Sequence, residues 1–135
     1  MIKEKLFNAT KLPILSKGLD AYALRHRAIS DNVANIETPG YQRRKVEFEV
    51  KLQGAIGKDT LVKTDSRHLG HGGMKVKNVD PEMVLDSESS DINDLNNVDI
   101  DHEMGVMSRN HLQFSFASKI ANSNFELIKF SIRGM

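Results

Sequence analysis

Residues 100–132 read IDHEMGVMSRNHLQFSFASKIANSNFELIKFSI, and this C-terminal stretch decides the fold. Its mostly apolar residues recur at alternating steps of four and three, the spacing of one helix face. The row is Ile100, Met104, Met107, His111, Phe114, Ser118, Ala121, Phe125, Ile128 and Ile132. The pattern predicts one helix about 50 Å long at 1.5 Å per residue, capped at its start by Asp99.

The same stretch carries a second apolar row about a third of a turn away. This row consists of Leu112, Phe116, Ile120, Leu127 and Phe130. A helix that is apolar on two faces cannot bury both against one neighbouring helix, so we predict that this row is a subunit interface. The alternative is that the middle of the chain folds back and covers it.

Residues 12–36 show the same spacing and predict a second long helix. Thr10 is a candidate cap, and Pro39 with Gly40 is expected to end the helix. The fold class predicted is therefore mainly α, with the N- and C-terminal helices paired as an antiparallel coiled coil around a small irregular β-containing middle segment. The predicted seam consists of Leu15, Leu19, Tyr22, Ile29 and Val33 against Met107, Phe114, Ala121, Phe125 and Ile128.

The middle of the chain has the features of short strands and loops. Val46, Phe48, Val50 and Leu52 alternate with charged residues, which predicts a half-buried strand. Residues 60–64 and 74–79 are candidates for two more strands, and the polar stretch 86–97 is predicted to be an acidic loop. The domain division that follows is 1–41 for the first helix and turn, 42–97 for the middle segment and 98–135 for the last helix.

Composition limits the classes of function. The 135 residues fit one domain, and the absence of cysteine excludes disulfides and thiolate metal sites. Residues 42–77 hold nine basic and four acidic side chains, whereas residues 78–103 hold nine acidic and none basic. This polarity suits head-to-tail contacts between copies, although two solvated loops of opposite charge would give the same pattern. The N-terminus lacks the apolar run of a secretory signal, and no stretch is long enough to span a membrane.

No candidate catalytic, cofactor-binding or metal-binding residue emerges. His68 and His71 near Asp65 are better explained by a Gly-rich turn than by a metal site. Asp99, Asp101 and Glu103 do not fit a calcium loop and are interpreted as acids at a helix start. The basic residues after Arg43 are interleaved with Glu47 and Glu49, which argues against a nucleic-acid interface.

The first helix ends in Asn35-Ile36-Glu37-Thr38-Pro39-Gly40-Tyr41. This motif resembles the N-x-x-T-P-G-Y signature of flagellar rod, hook and hook-associated proteins, which also have paired terminal helices. Thr64-Asp65 with His68, and the run from Asn96 to Met104, resemble the proximal rod branch of that family. The sister rod protein FlgC, of similar size, is the rival within the family.

The resemblance implies a structural subunit of the flagellar basal-body rod that self-assembles through its terminal helices, transmits torque and is not an enzyme. It implies no cofactor, no nucleic acid and no small-molecule substrate. The implied partners are other copies of the chain, other rod proteins, the rod-to-membrane-ring junction protein FliE and the flagellar type III export apparatus. The implied location is the basal body across the periplasm, reached without a cleavable signal peptide. A soluble coiled-coil adaptor or chaperone that binds a partner helix is the alternative.

Overall fold

The computed structural model describes residues 12–59, 79–86 and 96–133, and within α2 it describes side chains only as far as Ala55. The element order is α1 (Leu12–Ala34), β1 (Arg44–Glu47), α2 (Glu49–Asp59), β2 (Glu82–Leu85) and α3 (Ile100–Arg133). The chain is therefore mainly helical with a small two-stranded sheet, as the sequence predicts. The candidate cap Thr10, the candidate strand 60–64 and most of 74–79 lie outside the described residues.

α1 and α3 pack against each other and run in opposite directions. Asn32, near the end of α1, contacts Glu103 near the start of α3. Midway along α1, the carbonyl oxygen of Tyr22 accepts a hydrogen bond from Asn110 Nδ2 at 3.0 Å. The first turns of α1 lie beside Ala121 and Phe125. The packing of the terminal helices is thus confirmed, whereas coiled-coil geometry stays a prediction.

α1 also packs on its other side, against the middle segment. Ala21 and Ala28 of α1 form a core with Val46, Phe48, Ala55 and Val79, and Leu24, Leu52 and Met83 pack against it. Small side chains on α1 let the sheet and α2 approach closely. β1 and β2 pair antiparallel, with Lys45 opposite Val84 and Val46 opposite Met83.

The predicted strand over residues 46–52 is wrong in its second half. β1 ends at Glu47, and α2 begins at Glu49. Phe48, Leu52 and Ala55 are spaced to share one face of a helix, and this face turns toward the core, while Val50 is 81% exposed. The Leu52 amide donates to the Phe48 carbonyl at 2.8 Å, the first helical bond. Arg25 of α1 holds Glu49 at 2.6 Å, an acid in the first turn where the helix dipole favours it.

α3 has the start that the sequence predicts. Asp99 Oδ1 accepts a hydrogen bond from the Asp101 amide at 2.9 Å, which caps the helix. α1 ends at Ala34, five residues before Pro39, and the intervening residues form turns. Of the predicted acidic loop, only the two ends are described.

No helix among the described residues combines the length and apolar character needed to cross a lipid bilayer.

Candidate functional site: a polar junction and an outer apolar stripe

The motif residues after α1 build a compact turn. The Tyr41 amide donates to the Thr38 carbonyl at 3.3 Å, and Gly40 has a φ of 74° between them. Pro39 followed by a residue with positive φ is the pattern of a type II turn. Asn35 Nδ2 donates to the Asp31 carbonyl at 2.8 Å, and Asn35 Oδ1 accepts from the Thr38 hydroxyl at 3.2 Å. The motif therefore ends α1 and reverses the chain.

The turn brings the side chain of Tyr41 back against the end of α1. Its hydroxyl donates to Asn32 Oδ1 at 3.1 Å, and the Arg44 guanidinium lies 5.8 Å from the ring centroid. Burial raises the pKa of Tyr41; the charge of Arg44 opposes the rise, and Asp31 and Glu103 add to it. Tyr41 is thus held as a neutral hydrogen-bond donor.

Asn32 is completely buried and uses all four hydrogen-bonding positions of its amide. Its Nδ2 donates to the Arg44 carbonyl at 2.8 Å and to Glu103 Oε2 at 3.1 Å. Its Oδ1 accepts from the Arg44 amide at 2.9 Å and from Tyr41. One side chain therefore joins α1, β1, the turn and α3.

Arg43 joins α3 to the sheet. Its Nε donates to Glu103 Oε1 at 2.7 Å. Its Nη1 forms an ion pair with the carboxylate of Asp86, the residue that follows β2. Lys45 also pairs with Asp86, at 3.1 Å. Burial lowers the pKa of Arg43, but the hydrogen bonds and charges of Glu103 and Asp86 outweigh it and raise the pKa overall. Two cations face two carboxylates, so the buried charge is balanced.

Two asparagines complete the connection at the entry to α3. Asn97 Oδ1 accepts from the Arg43 amide at 2.6 Å, and Asn97 Nδ2 donates to the Asp86 carbonyl at 3.2 Å. Asn96 Nδ2 donates to the Ile36 carbonyl, and Asn96 Oδ1 accepts from the Val98 amide at 3.2 Å. We call Asn32, Arg43, Asp86, Asn97 and Glu103 the polar junction. It fixes the helix pair to the two-stranded sheet.

Sequence reasoning missed most of the polar junction. Glu103 lies in the first turn of α3, as the sequence predicts, but its side chain is fully buried and bonds Asn32 and Arg43, which the sequence did not indicate. One pattern in the sequence could have indicated the buried face of α3. Glu103, Asn110 and Ala117 are spaced seven residues apart, and all three are buried. Among the residues that the structure describes, Asn110 Oδ1 has no hydrogen-bond partner, which leaves one unsatisfied polar atom buried between the helices.

The residues of the predicted seam differ in their burial. Ile29 and Ala121 are buried, whereas Phe114 and Phe125 remain 41% and 45% exposed. Leu15, Leu19, Tyr22, Val33, Met107 and Ile128 are half-buried. The face of α3 that meets α1 is thus smaller and more polar than predicted, and the seam as a whole stays a prediction.

The second apolar row of α3 is exposed to solvent. Leu112, Phe116, Ile120, Leu127 and Phe130 are each between 47% and 72% exposed. We call these five residues the outer stripe. No described element covers them, and their role as a subunit interface stays a prediction.

Metal chemistry has no candidate site among residues 12–59, 79–86 and 96–133, where no three His, Asp or Glu side chains converge. The candidate histidines 68 and 71 and Asp65 lie outside these ranges.

Comparison with known proteins decides the family. The chain is 36% identical over 121 residues to the flagellar basal body rod protein FlgB of Borreliella burgdorferi, an alignment that covers 85% of this chain and 90% of that protein. The chain belongs to the FlgB family. FlgB of Borrelia hermsii is 35% identical over the same shares, and FlgB of Bacillus subtilis is 28% identical over 96% of this chain and 97% of that protein. No family model matches. The predicted resemblance to the proximal rod branch is confirmed, and the chain is a structural rod subunit.

Proposed function

We propose that this FlgB-family chain builds the proximal rod by self-assembly, with α3 as the helix that joins one subunit to the next. The observation that carries this proposal is the distribution of side chains around α3. Toward α1 it presents Glu103, Asn110 and Ala117, whereas the large apolar residues of the outer stripe face away. A helix with this arrangement is held within the subunit by polar bonds and keeps its hydrophobic surface for a neighbour.

The magnitude of the hydrophobic term supports an interface. Complete burial of one large apolar side chain contributes about 1.5–3 kcal/mol, so the outer stripe could supply on the order of 10 kcal/mol before the costs of association. Those costs are of similar size, about 4–15 kcal/mol, so the outer stripe would offset much of them and further contacts between subunits would supply the rest. The outer stripe is also a liability for an isolated chain, which we expect to aggregate or to form filaments.

The polar junction suits a subunit that transmits torque. A guanidinium held by two carboxylates, with Asn32 and Asn97 bonded to the backbone on either side, resists rotation of the sheet against the helix pair. A load applied to the sheet is then passed to α1 and α3 instead of bending the connecting turn.

The wider setting follows from the FlgB relatives. We propose that the neighbours are other copies of this chain, other rod proteins and the junction protein FliE, and that the chain passes through the flagellar type III export apparatus into the periplasmic part of the basal body. In this role it is not an enzyme and needs no cofactor.

A charge on the outer stripe tests the proposal. Ile120→Asp is expected to abolish filaments of the purified protein and its incorporation into basal bodies, because a carboxylate would have to be buried in the interface. The control is Asn122→Asp, which adds the same charge at an exposed position about 160° further around α3. Sedimentation velocity and circular dichroism measure assembly and folding. Normal incorporation of Ile120→Asp would contradict the proposal.

A further inference from the structure

An apolar groove opens between the first turns of α1 and the second half of α3. Leu12, Leu15 and Leu19 line one side, and Ala121 and Phe125 line the other. The volume is about 430 Å³, enough for large apolar side chains. Ala121 creates this space, because a small residue stands where a larger one would fill the gap between the helices. Ser16 and Asp20 lie at the exposed rim.

The groove and the outer stripe lie on different sides of the same helix. An α-helix turns about 100° per residue, so Phe116 is about 140° from Ala121 and about 180° from Phe125. The same arithmetic places Leu112 and Ile120 about 100–180° from the two groove residues. A rigid helix cannot bring its own stripe into its own groove, whereas a second copy can.

The charges around the two surfaces are complementary. Arg109 and Lys119 are exposed on α3 at the edges of the stripe formed by Leu112, Phe116 and Ile120. Asp20 is exposed at the rim of the groove. None of these three groups forms an ion pair within the parts of the chain that the structure describes. Cations beside the stripe and a carboxylate beside the groove favour their contact and oppose stripe-to-stripe contact.

We infer that the groove receives the outer stripe of a second copy of this chain, at Phe116. This inference rests on the proposed function and specifies how the assembly grows. Two different surfaces in contact form a heterologous interface, and such an interface leaves one stripe and one groove free at the ends. The chain therefore polymerises head to tail and does not stop as a closed pair.

Blocking each surface separately tests the inference. Phe116→Asp disables the stripe, and Ser16→Phe fills the groove from its rim; both residues are exposed, so the fold is expected to persist. The control for the groove is Ala23→Phe, an exposed position on the same side of α1 but two turns further along. We expect both blocked variants to be monomeric by sedimentation velocity at concentrations where the unmodified chain and Ala23→Phe form long oligomers.

Mixing the two blocked variants gives the decisive result. The intact stripe of Ser16→Phe meets the intact groove of Phe116→Asp, so the mixture is expected to form one-to-one dimers and nothing larger. A cysteine pair gives a second measurement, because the chain has no cysteine of its own. Phe116→Cys mixed with Ser16→Cys is expected to form disulfide-linked dimers of the two variants under oxidation.

Failure of this inference is distinguishable from failure of the proposed function. If Ser16→Phe assembles like the unmodified chain while Phe116→Asp does not, the groove is overturned as the acceptor and the stripe remains the interface. If the unmodified chain stops at dimers, or the mixture stays monomeric, head-to-tail growth is overturned. If Phe116→Asp and Ile120→Asp both assemble normally, the proposed function itself is wrong.

Discussion

The carboxylate of Glu103 in α3 accepts a hydrogen bond from the side-chain amide of Asn32 in α1 at 3.1 Å, and both side chains are completely buried. The other oxygen of Glu103 holds Arg43. This relationship ties the two terminal helices to the sheet through one acidic side chain. Removing a single member of a buried charged network is costly because the remaining charges lose their partners.

Glu103→Ala is expected to lower the free energy of unfolding by about 3–5 kcal/mol, since it leaves Arg43 and Asn32 without their buried acceptor. Urea denaturation followed by circular dichroism measures the change. Lys129→Ala is the control, because Lys129 pairs with Glu126 at 3.0 Å in an exposed position of the same helix. That loss is expected to be below about 1 kcal/mol. Equal losses for the two variants would show that the polar junction does not stabilise the fold.

Arg43→Met is expected to destabilise the chain by a similar amount, about 3–5 kcal/mol. The double variant with Glu103→Ala should lose less than the sum of the single losses, because the two residues share one interaction. Additive losses would indicate that the two side chains act independently.

Gly40→Ala is expected to cost about 1–2 kcal/mol through the backbone. Gly40 has a φ of 74°, and an added Cβ would meet no atom of the described residues within 4 Å, so the expected cost comes from the backbone conformation. Gly105→Ala is the control: it also has open space around a Cβ, but it lies inside α3, where alanine is preferred. We expect Gly105→Ala to stabilise the chain by up to about 1 kcal/mol. The same sign for both substitutions would contradict a backbone penalty for alanine at position 40.

Asn110→Leu and Asn32→Leu are expected to act in opposite directions. Asn110 Oδ1 is buried with no partner among the described residues, so Asn110→Leu should raise the free energy of unfolding by about 1 kcal/mol, even though the bond from Asn110 Nδ2 to the Tyr22 carbonyl is lost. Both polar atoms of the Asn32 side chain are fully hydrogen-bonded. Asn32→Leu should therefore lower the free energy of unfolding by about 1 kcal/mol for each of several lost bonds. Denaturant midpoints of the two variants provide the measurement. Loss of stability in both would show that Asn110 is needed between the helices.

The contact between Arg25 and Glu49 predicts a dependence on pH. Burial raises the pKa of Glu49, but the hydrogen bond and charge of Arg25 outweigh it and hold the pKa below its ordinary value of 4.5. Because the folded pKa is the lower one, this contact stabilises the fold above about pH 4.5, and the stabilisation is lost as the pH falls through the folded value.

Glu49→Gln is therefore expected to reduce the loss of stability between pH 7 and about pH 3. The effect should stay below about 1 kcal/mol, since the side chain is half-exposed. Glu37→Gln, at an exposed position with no ion pair in the described ranges, is the control. A pH profile of Glu49→Gln that matches the unmodified chain would contradict the assignment.

The sequence alone predicts the features that depend on residues close together in the chain. The periodic rows of residues predict α1 and α3, Asp99 is the predicted cap of α3, and Pro39 with Gly40 predicts the turn. The outer stripe was also predicted as a second apolar row, and its exposure follows from the helical repeat. Hydrogen bonds of helices, caps and turns join residues within about four positions, so their patterns are present in a short window.

The tertiary structure decided which face of each element is buried. Residues 46–52 have the alternating pattern of a strand, and the packing of Phe48 and Ala55 into the core selects a helix from Glu49 instead. Asn32, Arg43 and Glu103 lie far apart in sequence, and nothing in a local window shows that their charges and amides meet. Burial of a charge is favourable only when its partners arrive together, and that depends on the packing of α1, α3 and the sheet as a whole.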